Sequence, residues 1–158
     1  MLWQRESAMP RNCWGKSRMD LSTYETYAET LEELDDEMRF EYILDIAKKK
    51  RAKPFPEEAM DDAHLMHGCL SKVWILHDEQ AGRHYFRGHS DAAIVEGLVA
   101  VMTDSFSGLT TGELAQIKLD HVRRLNLGAL TTQRQVGMMA MLKHIQKLAG
   151  ARAGIQAA

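Results

Sequence analysis

A chain of 158 residues with 45% hydrophobic residues and a net charge of -2 has the length of one domain and enough apolar material for a single core. No apolar run approaches the roughly 20 residues that a helix crossing a bilayer needs, and the basic residues are scattered except at Lys48-Lys49-Lys50-Arg51, so neither a membrane span nor a nucleic-acid footprint is expected. Two cysteines, Cys13 and Cys69, make no disulfide framework and no paired metal-ligand spacing, which points to a reducing, cytoplasmic setting.

Residues 1–20 carry four basic residues against two acidic ones and lack the apolar core of a secretory signal. They are expected to form a disordered extension, or to lie upstream of a true start at Met19. An organellar transit segment has weaker support, because serine is sparse and no amphipathic stripe is present. From Ser22 to Arg51, Tyr24, Tyr27, Leu31 and Leu34, then Met38, Tyr42, Ile43 and Ile46, recur at helical spacing. The spacing predicts two helices broken at Asp35-Asp36, with an aspartate capping the second. The acids from Glu29 to Glu37 read as a solvated face, with a docking surface for a basic partner as the alternative. The basic run suits a helix C-terminus, where cations meet the negative pole of the dipole.

Pro54 and Pro56 end the helical region, and a loop to about Asp62 follows. Extended pieces are expected at about Ala63 to His67, Ser71 to Leu76 and Arg83 to Arg87, with residues 78–82 as a hairpin connection. Three antiparallel strands in sequence order are the economical arrangement. Ser90-Asp91 then opens a helix that is apolar on nearly every side and therefore buried, with Asp91 placed to cap it and Gly97 permitting a close approach. Trp74 is expected to pack against that helix. Thr110-Thr111-Gly112-Glu113 matches a capping box before a short helix near Leu114 to Leu119. Thr131 or Thr132 with Gln135 precedes a long last helix with a core stripe of Met138, Met141, Leu142, Ile145 and Leu148. Residues 151–158 read as a flexible end, which leaves 21–150 as the domain.

Cys69 carries the functional argument. Gly68 before it permits a tight turn, and the β-branched run Val73-Trp74-Ile75 after it begins a strand, so the thiol is expected at a loop tip. GCLSKVW (Gly68 to Trp74), GHSDAAIVEGL (Gly88 to Leu98) and LTTQRQVG (Leu130 to Gly137), in this order and spacing, resemble the SufE family over Tyr24 to Ala149. That family, which includes CsdE, comprises sulfur acceptors that work beside cysteine desulfurases in iron-sulfur cluster assembly.

The resemblance implies an α+β fold of the SufE/NifU-like kind, with a small three-stranded antiparallel sheet packed against several helices. It implies that Cys69 accepts persulfide sulfur from a desulfurase of the SufS or CsdA type, stimulates that enzyme, and relays sulfur to an iron-sulfur scaffold or another acceptor. No stand-alone activity and no cofactor are expected, since the pyridoxal phosphate belongs to the partner; a monomer or weak homo-oligomer is expected. Arg134 matches the arginine of the family's T-P-S-R-x-x-G motif, a candidate to stabilise the thiolate or persulfide. His67 and Lys72 flank the thiol and are candidates to lower its pKa, against surface placement. The chain departs from the family at His64, where Asn is usual, at His89, where an acidic residue is usual, and at Thr131-Thr132-Gln133.

Three other readings remain. One is a binding module that activates a desulfurase without carrying sulfur. Another is a metal site drawn from His64, His67, Cys69, His77, His84 and His89, since zinc accepts cysteine and histidine together. A cysteine hydrolase would need a base and an orienting group that the sequence does not display.

Overall fold

The computed structural model describes residues 19–67, 71–125 and 132–157, and for 132–134 and 151–157 the backbone alone. Most of the tail expected at 1–20 therefore lies outside the described residues. Met19 and Leu21 pack against the core, and the Asp20 carboxylate accepts the Ser22 N–H at 3.1 Å and its hydroxyl at 2.7 Å.

Two residues, Leu34 and Asp35, separate the first two helices, α1 (Ser22–Glu33) and α2 (Asp36–Arg51). The Asp35 carboxylate accepts the Met38 N–H at 2.9 Å, as an N-cap does, and Arg39 Nε donates at 2.7 Å to the Leu31 carbonyl at the end of α1. The run Lys48 to Arg51 closes α2 as the dipole argument requires. A single 3-10 turn at Glu57–Ala59 then leads to the sheet.

The sheet is antiparallel in the order β1 (Leu65–Met66), β2 (Val73–Gln80), β3 (Arg83–Ser90), β4 (Leu109–Thr110). It has four strands rather than three. β4 adds only two residues, pairing Arg83 with Thr110 and His84 with Leu109, which is too short to show any periodicity in sequence. β2 and β3 also run further than expected, because Gln80 still pairs with Arg83 and the connection shrinks from five residues to Ala81-Gly82. Both turn residues have positive φ, 53° and 79°, the combination whose twist matches that of the flanking strands. An alanine in that region costs about 1–2 kcal/mol locally, offset here by sixteen strand residues held in register.

Helix α3 (Ala93–Phe106) is the centre of the molecule, buried at every position except Ala93 and Asp104. One side lies on β3, and the others meet α1, α2 and the last helix, α6 (Thr132–Ala157). Each fully buried Leu, Val or Phe side chain in such a core stabilises by about 1.5–3 kcal/mol. The Thr110–Glu113 capping box is present, but it starts a helix directly, α4 (Thr111–Ala115), and a separate α5 (Leu119–Arg124) follows. Arg124 fastens α5 to α1 through Glu25 at 2.5 Å and Glu32 at 3.1 Å. α6 stays helical past Gly150. No helix among the described residues is long and apolar enough to cross a membrane.

His84 is fully buried yet satisfied. Its Nδ1 lies 2.8 Å from His77 Nε2 and its Nε2 lies 2.7 Å from Thr111 Oγ1, while the Thr111 hydroxyl donates to the Ala149 carbonyl at 3.4 Å. A hydroxyl that gives its proton away accepts from the ring, so the network assigns the proton to His84 Nε2 and leaves Nδ1 to accept from His77. This chain joins β2, β3, α4 and α6.

Gly97 lies where α3 crosses α2, and a Cβ there would overlap the Ile43 carbonyl. Backbone cannot rotate aside as a side chain can. Gly97→Ala should therefore lower unfolding stability in urea by about 1–3 kcal/mol, although alanine is the better helix former; an unchanged midpoint would show that α2 and α3 can part without loss.

Candidate functional site

The chain leaves the sheet at Met66 and re-enters at Val73, and these two residues are register partners. Cys69 therefore belongs to the six-residue connection 67–72 of a closed hairpin. Gly68 and Cys69 themselves lie outside the described residues, as does the side chain of Arg134, whose backbone forms part of the first turn of α6. What the structure shows is the frame around them. Ile75 N–H donates to the His64 carbonyl at 2.9 Å on the entry side, and Ser90 Oγ donates to the Lys72 carbonyl at 2.7 Å on the exit side. The side chains of His67 and Lys72 are both exposed.

His64, at the first family departure, closes a local turn. The Asp61 carboxylate accepts its N–H at 3.0 Å and meets its ring Nδ1 at 2.7 Å, and these bonds hold the Asp61 carboxyl below its ordinary range. His89, at the second departure, lies between two aromatic rings, stacked on Phe55 at 5.4 Å and on Trp74 at 5.8 Å between centroids. Its Nδ1 stands 3.0 Å from a carboxylate oxygen of Glu96, which is buried at 4% exposure and accepts the Ser90 N–H at 2.5 Å.

Two expectations change at this corner. Asp91 does not cap α3: it is exposed, the N-cap is Ala92, and the reaching is done by Ser90 Oγ, which accepts the Ala92 N–H at 3.3 Å, and by Glu96 from within the helix. Trp74 does not pack against α3 either. Val73, Ile75 and Ser90 are buried on the face toward α3, which Gly88 shares, so alternation turns Trp74 and its partner His89 to the opposite face, where they stack.

The histidines do not converge. His77 and His84 share the inner face, His89 the outer, and His64 a turn before β1; among the described residues no group of three or more His, Cys, Asp or Glu is arranged to hold a metal. One residue absent from the sequence reading joins the frame. His144 on α6 is half-buried, and its pKa is held below 6.5 first by burial, then by Lys147 and by His67 of the hairpin connection. The only sequence signal it carries is its spacing from Met141 and Leu148, at the edge of the core stripe.

A small antiparallel sheet packed on one side of a buried helix, with further helices on its other sides, defines an α+β protein. The family model SufE, described as an Fe-S metabolism associated domain, matches residues 25–149. A SufE-like protein of Synechocystis is 34% identical over 113 residues, covering 71% of this chain and 70% of that one. A SufE-like protein of Rhizobium meliloti is 32% identical over 128 residues, covering 77% and 89%, and one of Rhizobium etli is 34% identical over 128 residues, covering 76% and 84%. The solution structure of a hypothetical protein from Thermus thermophilus shares the fold with a TM-score of 0.68 at 19% identity, covering 84% of this chain and 97% of that one. The chain belongs to the SufE family, and its role lies in iron-sulfur metabolism.

The Glu96 contact makes positions 89 and 96 interdependent. His89→Asp, which installs the acidic type usual in the family, brings two carboxyl groups together at a buried site and should cost about 1–3 kcal/mol; adding Glu96→Gln should return much of it, and additive losses would show that the two positions are uncoupled. His144 sets a pH dependence. A histidine whose folded pKa is depressed binds fewer protons folded than unfolded, so its contribution to stability is complete above pH 6.5 and is lost as pH falls through the depressed value. His144→Gln should flatten the stability profile below pH 6.5, measured by urea unfolding, and an unaltered slope would remove His144 as its source.

Proposed function

We propose that this protein is a sulfur acceptor. Cys69 takes sulfur from a pyridoxal-phosphate cysteine desulfurase of the SufS or CsdA type and relays it to an iron-sulfur scaffold or another acceptor. The observation that supports this reading is that the one cysteine of the family domain falls in the connection of a hairpin fastened at both ends.

The chemistry is thiol exchange. The Cys69 thiolate attacks the terminal sulfur of a persulfide on the desulfurase; a new S–S bond forms at Cys69, the old S–S bond breaks, and the desulfurase cysteine leaves as a thiolate. A cysteine of ordinary pKa, about 8.5, is only a few per cent ionised at neutral pH, so acceleration depends on cations near the sulfur. Arg134 is assigned that role, with Lys72 and His67 as flanking contributors and Gly68 supplying the turn. Clearing sulfur from the desulfurase frees its cysteine for the next cycle, which accounts for stimulation without any cofactor in this chain.

Intact mass after incubation with a loaded desulfurase and L-cysteine, without reductant, tests the relay. The native protein should gain one sulfur atom and Cys69→Ser none, with desulfurase stimulation lost in the variant. Stimulation that survives Cys69→Ser, with no sulfur on the native protein, would replace the relay by pure allosteric activation. Arg134→Ala should slow loading by about tenfold or more if it stabilises the thiolate by the ~1.5 kcal/mol of a charge-assisted hydrogen bond.

A further inference from the structure

The basic run at the end of α2 does more than close a helix. Lys49, Lys50 and Lys53 line a cavity of about 440 Å³ between α2 and the sheet, together with Arg87 of β3 and the small residues Gly88 and Ala100. That volume lies within the range of about 300–1,000 Å³ typical of small-molecule sites. A second cavity of about 250 Å³ adjoins it and shares Lys50, Lys53, Arg87 and Gly88.

Charge in the larger cavity is unbalanced. Asp104 is the acid that lines it, and it is committed to Lys50 Nζ at 2.9 Å and to the Tyr27 hydroxyl at 2.9 Å. Lys49, Lys53 and Arg87 remain around one space and repel one another. Arg87 is held in place: its Nη2 donates to the Lys53 and Pro54 carbonyls at 2.6 and 2.9 Å, and its guanidinium lies 5.5 Å from the centroid of the Phe55 ring. Arg87 lines both cavities, so an extended polypeptide running from one to the other would have to pass this fixed guanidinium. A compact dianion would not. Lysine ammonium groups and a fixed guanidinium are the side chains that recognise phosphate, and Phe86, Gly88 and Ala100 supply an uncharged stretch of the cavity lining against which an apolar body can lie.

We propose that the cleft between α2 and the sheet binds a small phosphorylated organic molecule, with the phosphate among Lys49, Lys53 and Arg87 and the organic body against Gly88 and Ala100. The lining includes none of the residues assigned to the sulfur relay, so the proposal stands or falls apart from it.

Titration of the full chain with phenyl phosphate, followed by backbone amide chemical shifts, tests this. The amides of Gly88, Ala100 and Thr103 should shift saturably, and inorganic phosphate should bind the same site more weakly. The double variant Lys49→Gln/Lys53→Gln changes two exposed side chains and should fold normally, with its spectrum intact and its dissociation constant raised at least tenfold. Absence of saturable shifts, or the same constant in the double variant, would overturn the proposal. Equal affinity for inorganic phosphate would remove the organic body from it, and saturable shifts with hexaglutamate but not with phenyl phosphate would reassign the cleft to an acidic polypeptide.

Discussion

Two missing side chains set the architecture. A Cβ at Gly88 would overlap Val99 of α3, and a Cβ at Gly97 would overlap the Ile43 carbonyl of α2, so α3 is clamped between sheet and helix layer by close approach on both sides. Everything near the hairpin inherits its position from that clamp. Once α3 is fixed against β3, Glu96 in its first turn reaches the Ser90 N–H, Ser90 Oγ reaches the Lys72 carbonyl, and the exit of the Cys69 connection is held. The route from packing to chemistry is thus short: a glycine contact places a helix, the helix places a carboxylate, and the carboxylate orders the corner beside the thiol's connection.

The elements were legible wherever local chemistry decided them. Asp35 as a cap, Lys48 to Arg51 as a helix end, Thr110 to Glu113 as a capping box and the all-round apolar α3 follow from hydrogen-bonding and burial rules that act within a few residues. The misreadings share the opposite cause. β4 exists only because β3 offers it an edge, and the polar stretch Asp78 to Gln80 is strand only because Arg83, His84 and Tyr85 lie across from it. Trp74 faces away from α3, against expectation, because alternation says which residues share a side, and only the partner layer says which side is inside.

At the site the balance was similar. The motifs that mark Cys69 and Arg134 are contiguous in sequence and carry the family resemblance. The His89–Glu96 contact spans seven residues and a change of element, and the burial that lowers the His144 pKa comes from tertiary packing, so neither leaves a trace in local spacing. The histidines that looked like a cluster on paper were separated by the pleat: His77 and His84 went inward to satisfy each other, and His89 went outward to lie between two rings.

The Ala81-Gly82 turn has a kinetic meaning as well as a geometric one. Its two residues join strands of eight residues each, so every contact along β2 and β3 closes a loop of at most sixteen residues. Short loops close within about a microsecond, and contacts between distant segments come later. During synthesis and folding this ribbon is expected to assemble before α6 reaches it, which gives the exit side of the cysteine's connection a fixed strand to hang from while its other neighbours are still arriving.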